Sequence, residues 1–306
     1  MTAMTPAVST RAQWWLGFLH GPSQIYFQQN VITGILVLAA FFVADWRMGI
    51  LALLGCLGGI LGGQACRFPL SSVGAGMQSF CGTLVGAAVF AALGGDNIWV
   101  YPLALVGGFV TGPVTWLVNA LFTRTGLKVF NLPYTTAPFV IVATIIALST
   151  AKYAVSSPLP HVTNDPLTAF GLSILTNVSQ VVLVDNLWSG ALILIGLFIA
   201  GWRVGLAALL GSVVGTLTAF FAGETMNEIA NGLANYSGVL TAIALAVTFI
   251  KSSVWSWLYS VPWIIVTAIV TLVMHNAGVE TYTWPYILTT WVALIVAHFI
   301  RGLKRS

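Results

Sequence analysis

Apolar runs dominate the chain, separated by short stretches where Asn, Asp, Gly, Pro and Ser collect. They lie near residues 31–44, 48–64, 80–95, 98–121 and 134–150, and again near 187–200, 204–221, 238–251, 255–274 and 284–300. A helix that crosses a bilayer needs about 20 predominantly apolar residues. The pattern therefore predicts ten helical spans joined by short loops, an all-α polytopic membrane protein. Composition removes the alternatives. Of 306 residues only 18 are charged (11 Lys and Arg plus 7 Asp and Glu), and 58% are hydrophobic, with a mean hydropathy of +0.95. A soluble domain carries about 25% charged residues, whereas 6% cannot cover a water-facing surface. A cytosolic enzyme, a nucleic-acid binder and a disordered chain are thereby excluded, and the surface implies membrane lipid as its partner.

The runs occur twice. Ser23-Gln24 recurs as Ser179-Gln180, an offset of 180 − 24 = 156. At the same offset Asn30 matches Asn186, Gly34 matches Gly190, Trp46-Arg47 matches Trp202-Arg203, Leu53-Leu54-Gly55 matches Leu209-Leu210-Gly211, and Leu84 matches Leu240. A gapless register over about sixty residues, polar positions included, marks an internal duplication. Residues 1–150 read as the first repeat, 151–164 as a linker of loop composition, and 165–306 as the second repeat. Five runs fall in each copy. An odd number of crossings turns the second copy upside down, which predicts two inverted repeats related by a pseudo-two-fold axis in the membrane plane.

Charge adds the orientation. The net charge is +4, and basic residues collect on the cytoplasmic side of membrane proteins. Arg11 near one end, and Arg301, Lys304 and Arg305 at the other, place both termini in the cytoplasm, which demands an even number of spans. Arg47 and Arg203 fall on opposite sides of an inverted pair, so they read instead as caps of a helix turn or as headgroup contacts. Residues 1–10 lack the succession of basic, apolar and small residues that marks a cleaved signal peptide. Cys56, Cys66 and Cys81 fit no disulfide or metal spacing. Gly55, Gly59 and Gly63, echoed by Gly211, Gly215 and Ala219, stand four apart on one helix face, a spacing that lets helices approach closely in lipid.

Little ionisable chemistry remains. The acidic residues Asp45, Asp96, Asp165, Asp185, Glu224, Glu228 and Glu280 fall at loops or helix ends. Ion-coupled carriers keep such groups at depth, so coupling is not expected; Asp185, beside Gln180 in the repeated motif, is the exception to watch. His20, His161, His275 and His298 form no i, i+4 pair, so no zinc site is predicted. No nucleophile motif, phosphate-binding loop or paired carboxylate points to an enzyme or a cofactor. Neutral polar residues inside apolar sequence are left. Gln24 and Gln180 read either as helix bridges or as a pore-lining pair, each offering one acceptor oxygen and two donors. Phe80 and Leu84 match Tyr236 and Leu240 and flank Cys81-Gly82-Thr83 and Ser237-Gly238-Val239. Gly-containing interruptions at matching places in both halves predict broken helices and a midplane site. The four large side chains read as core packing or as a narrow slot near the axis.

The most specific motif is Leu132-Pro133-Tyr134-Thr135-Thr136-Ala137-Pro138-Phe139. Two prolines ahead of an apolar run predict irregular backbone and freed carbonyls, tolerated at depth only where protein covers them or where they line a wet cavity. These residues resemble the signature of the urea transporter family, Leu-Pro-x-x-Thr-x-Pro-Phe, at all five specified positions. A second copy, Val279 to Tyr286, keeps Thr283 and Pro285, has Tyr286 for Phe and lacks the opening Leu-Pro. Its offset is 283 − 136 = 147, so the second repeat has lost about nine residues in its loops. The family's Gln-containing motif also resembles Gln24 to Gly34 and Gln180 to Gly190, without the usual proline after Asn30 and Asn186.

The resemblance implies two inverted halves of five transmembrane helices plus one re-entrant half-helix each, and a homotrimer in a bacterial inner membrane with a pore in each subunit. It implies channel-like, passive transport of urea, with another small neutral solute (a short amide, ammonia or water) as the alternative. By position, Thr136, Thr283, Gln24 and Gln180 would border a row of oxygens. Phe27, Phe80 and Leu84, with Leu183, Tyr236 and Leu240, would form a flat apolar slot. Leu183 and Tyr236 make that slot less symmetric.

Overall fold

The computed structural model describes residues 10–156 and 158–306. Of residues 1–10, read above as lacking a signal peptide, only Thr10 falls within this range, and Ser157 of the linker falls outside it. Fourteen α-helices follow one another among the described residues: α1 Thr10–Gln24, α2 Val31–Ala44, α3 Trp46–Ala65, α4 Leu70–Gly74, α5 Ser79–Leu93, α6 Val100–Arg124, α7 Ala137–Thr150, α8 Pro166–Gln180, α9 Leu187–Ala200, α10 Trp202–Phe221, α11 Met226–Ala230, α12 Ser237–Ile243, α13 Val254–Asn276 and α14 Trp284–His298. The starts of α8 to α11 lie 156 residues after those of α1 to α4 (166 − 10, 187 − 31, 202 − 46, 226 − 70). The offset falls to 254 − 100 = 154 at α13 and 284 − 137 = 147 at α14, as the shorter loops of the second copy require.

The ten predicted runs coincide with ten apolar helices, but these are unequal. Only α3, α6, α10 and α13 are long and apolar enough to cross a bilayer alone; the other six are shorter. Short helices suffice because irregular turns complete them, and at depth such turns persist only where protein satisfies their backbone groups. After α1, the N–H groups of Tyr26, Phe27 and Gln28 bond the carbonyls of Ser23 and Gln24; after α8, those of Val182, Leu183 and Val184 bond Ser179 and Gln180 in the same way. Each turn is closed by a left-handed residue, Phe27 or Leu183, both at φ 62°. Asn30 then caps α2 by accepting from Thr33 N, and Asn186 caps α9 by accepting from Ser189 N, both at 2.9 Å. The missing prolines are thus immaterial here: the asparagine oxygen satisfies an N–H that the helix start leaves open.

The expected breaks at Cys81-Gly82-Thr83 and Ser237-Gly238-Val239 are also displaced. Helix α5 runs unbroken through the first, and α12 runs through the second before loosening into a π turn at Ala244–Thr248. The chain breaks just ahead of both helices, at Gly76 (φ 81°) and Gly232 (φ 72°). There a Cβ would meet Gly21 N at 2.6 Å or Thr176 C at 2.7 Å. Left-handed backbone pressed against another backbone accepts only glycine.

Helix α3 packs along α5 and α6. A Cβ on Gly55 would collide with the Gly82 carbonyl, and one on Gly59 would lie 2.5 Å from Gln78 O, so the four-residue glycine spacing serves close helix approach as expected. The two copies meet through α2 and α9. Thr33 Oγ1 donates to Gly196 O and Ser189 Oγ donates to Ala40 O, both at 2.7 Å. An early residue of each helix meets a late residue of the other, so the two run antiparallel. Shifted by 156, either bond becomes the other. Arg47 bonds Asp45, the residue that caps α3, as well as Asp96, and Arg203 lies 5.2 Å over the Trp202 ring.

Candidate functional site

Helices α7 and α14 each begin with a threonine, then a proline two residues on. Left-handed Thr135 (φ 49°) and Tyr282 (φ 37°) precede Thr136 and Thr283. A threonine at a helix start normally caps it by accepting a backbone N–H. Neither does so here. Their hydroxyls meet instead, Oγ1 to Oγ1 at 2.6 Å, with both residues at most 1% exposed. The sequence places these threonines 147 residues apart, and the fold makes them touch. Beside them the buried hydroxyls of Thr135 and Tyr286 face each other and Thr136, in contacts too loose to satisfy them fully. Buried polar groups are nearly always bonded, so this spot is short of partners. The Phe27 ring lies 6.0 Å from the Tyr286 ring and 5.2 Å from that of Phe249, joining one slot residue to the threonine pair.

The remaining predicted residues divide between two flanks. In the first half, Gln24 Nε2 donates to Ala75 O at 2.9 Å. The Phe80 ring stacks on Tyr134 at 6.2 Å, and the Tyr134 hydroxyl donates to Met77 O at 2.9 Å. Ala75 and Met77 bracket Gly76, the break before α5. In the second half Gln180 is buried at the end of α8 with its amide against Asp185. The Tyr236 hydroxyl bonds Tyr282 O and lies 3.2 Å from Thr281 Oγ1. Leu183 holds the turn that mirrors Phe27, while Leu84 and Leu240 are fully buried in the shared core. Phe80 and Tyr236 thus each join the signature loop of their own half.

Of the two readings left for the signature loop's carbonyls, cover by protein or a wet cavity, two of these oxygens show the first. Pro133 O accepts from Trp291 Nε1 (2.8 Å) and Asn131 O from Arg305 Nη2 (2.9 Å). Long donors on distant elements reach these oxygens because the C-terminal segment folds back on the loop, with Lys251 N bonded to Lys304 O. Tyr134, Thr135 and Tyr286 were not singled out as site residues. The tyrosine inside the first signature and the Tyr-for-Phe change in the second were visible, but only packing shows where they point. Among the described residues no cluster of His, Cys, Asp or Glu can hold a metal ion.

A family model described as "Urea transporter" matches residues 16–298. The chain is similar to Urea transporter 1 of Rattus norvegicus, 28% identical over 302 residues that cover 91% of this chain and 76% of that protein. It is similar also to Urea transporter 1 of Ovis aries (27% over 297 residues) and of Mus musculus (26% over 297 residues), with the same coverage of each chain.

Proposed function

Because the chain belongs to the urea transporter family, we propose that the threonine pair and its two flanks form the conduit through which this multi-pass membrane protein carries urea passively. The protein is a transporter, and the relatives' names favour urea over a short amide, ammonia or water as its solute. Urea is flat and neutral, with two NH2 donors and one carbonyl acceptor. Oxygens along its path accept from the NH2 groups and replace hydration one bond at a time. The large apolar side chains of Phe27, Phe80 and Leu84, with Leu183, Tyr236 and Leu240, reject ions, because dehydrating a charge costs far more than such a slot returns. A neutral amide forfeits only a few hydrogen bonds, each worth about 1 kcal/mol net. Gln24 and Gln180 supply amide groups at the two flanks, and Thr136 and Thr283 the hydroxyls between them.

The observation that carries this reading is the Thr136–Thr283 contact beside the loosely bonded hydroxyls of Thr135 and Tyr286. Helix-start threonines that do not cap, set among buried groups short of partners, suit a solute that bonds in passing. Urea entering between the threonines exchanges their mutual bond for bonds to itself. The test is stopped-flow urea uptake by proteoliposomes. Purified protein should speed urea entry far above the empty-vesicle rate while leaving glycerol slow. Equal rates for urea and glycerol would remove the selectivity claim.

The architecture we infer is an inverted repeat of residues 1–150 and 165–306, each with five transmembrane helices and a re-entrant half-helix. Its support is the antiparallel α2–α9 pair with reciprocal bonds from Thr33 and Ser189. Two helices exchanged by a two-fold axis run antiparallel when the axis is perpendicular to them. If they span the bilayer, that axis lies in its plane. The homotrimer and the bacterial inner membrane rest on the family resemblance alone.

A further inference from the structure

The second half carries a titratable pair at a position where the first half has none. The linker crosses back over α11, pinned by three bonds: His161 N to Asn231 Oδ1 (3.0 Å), Asn231 Nδ2 to His161 O (2.7 Å) and Thr163 N to Asn227 Oδ1 (2.8 Å). This brings His161 Nε2 to 4.0 Å from Asp185 Oδ1, in the turn between α8 and α9. Both atoms are buried, and neither has a hydrogen-bond partner. The Gln180 amide bonds the same carboxyl. The residue matched to Asp185, at 185 − 156 = 29, is the exposed and neutral Gln29.

A separation of 4.0 Å is too wide for a direct hydrogen bond and suits one bridging NH2 group or water. With its proton on Nδ1, neutral His161 presents Nε2 as an acceptor toward an ionised carboxylate that can only accept, and the gap then suits a donor. A proton held between the two groups changes this: Nε2 and Oδ1 bond each other and the donor site between them closes. Asp185 lies outside the helices, where burial pushes its carboxyl up to about 7 while the Gln180 bond opposes the shift. The other ionisable groups of this region are engaged elsewhere: Glu228 of α11 faces His275 at 3.8 Å, and Glu224 bonds Glu228.

We propose that Asp185 is a solute-positioning acceptor beside Gln180 at the second-half mouth of the conduit, and that His161, strapped over it by the linker, removes that acceptor when the pair takes up a proton. The inference rests on the reading of Gln180 as a conduit residue. Urea uptake by proteoliposomes held at equal internal and external pH, between about pH 5 and 8, tests it. Toward the acid end the native protein should lose permeability by about fivefold, roughly what one hydrogen bond is worth. The loss should appear as a higher half-saturating urea concentration with little change in maximal flux. Asp185→Asn keeps an acceptor that cannot titrate, and His161→Gln removes the imidazole. Asp185→Asn should flatten the profile and His161→Gln should move its midpoint, because the carboxyl left behind still titrates, with thermal unfolding confirming an intact fold. A flat native profile, a native-like slope in Asp185→Asn or an unmoved midpoint in His161→Gln overturns the proposal. Native protein that moves no urea at any pH overturns the transport reading, and this inference with it.

Discussion

The hydroxyls of Thr136 and Thr283 are the smallest groups on which the functional reading depends. Replacing either threonine by valine keeps shape and deletes the oxygen. Thr136→Val should lower urea permeability about fivefold, the effect of one lost hydrogen bond, and Thr283→Val should match it. The double variant should fall short of the product of the two, because the groups share one bond and their effects couple. Stopped-flow uptake reads all three. A second residue-level contrast concerns stability. Thr216 Oγ1 accepts from Asn177 Nδ2 (3.0 Å) and Asn235 Nδ2 (2.8 Å) and pairs with Ser173 Oγ (2.9 Å), all fully buried. Its counterpart in the first copy, at 216 − 156 = 60, is Ile60. Thr216→Val leaves two amide groups without that acceptor, at a cost of about 1–3 kcal/mol for each group left unsatisfied. A clear fall in the thermal unfolding midpoint in detergent should follow, whereas Ile60→Val should cost only about 0.5–1.5 kcal/mol.

At the level of helices, glycines separate contact from mere presence. The Gly55 Cα faces the Gly82 carbonyl, so any larger side chain must part α3 from α5. Gly55→Leu should abolish accumulation of folded protein, read as loss of the monodisperse peak on size exclusion. Gly171, in the middle of α8, has open space where a Cβ would stand. Gly171→Ala should therefore stabilise by about 0.5–1 kcal/mol through helix propensity alone, seen as a small rise in the unfolding midpoint. The four-residue glycine spacing marks Gly55 in the sequence and does not include Gly171; the neighbouring backbone then decides what each position tolerates. Helix starts were more legible. Asn30 and Asn186 each precede an apolar run and cap it, because a short polar side chain that can bond a free N–H is local chemistry.

For the molecule as a whole, the inverted arrangement has a direct check. The loop before α6 and the loop before α13 are equivalent in the two copies, and Asn97 and Lys251 are exposed in them. Single cysteines at Asn97 and at Lys251, in a protein whose three native cysteines are replaced, should react with an impermeant maleimide from opposite faces of sealed vesicles. Labelling from the same face would rule the inversion out. The antiparallel α2–α9 pair makes the stronger demand, since it ties the centre of one copy to the centre of the other and leaves little freedom to reorient either.

The duplication, the ten apolar helices and the match to one family all follow from the order of residues, because period, composition and local capping are written in short stretches of chain. The candidate pathway was legible only in outline. Thr136 and Thr283 could be named from a motif, but their contact depends on two segments 147 residues apart meeting across an axis. The carbonyls freed by Pro133 looked available until Trp291 and Arg305 closed over that loop. The left-handed turns at Phe27 and Leu183 and the strap that sets His161 against Asp185 have the same origin. Each is a conformation or contact that no local preference favours, held in place by groups distant in sequence and packed against it.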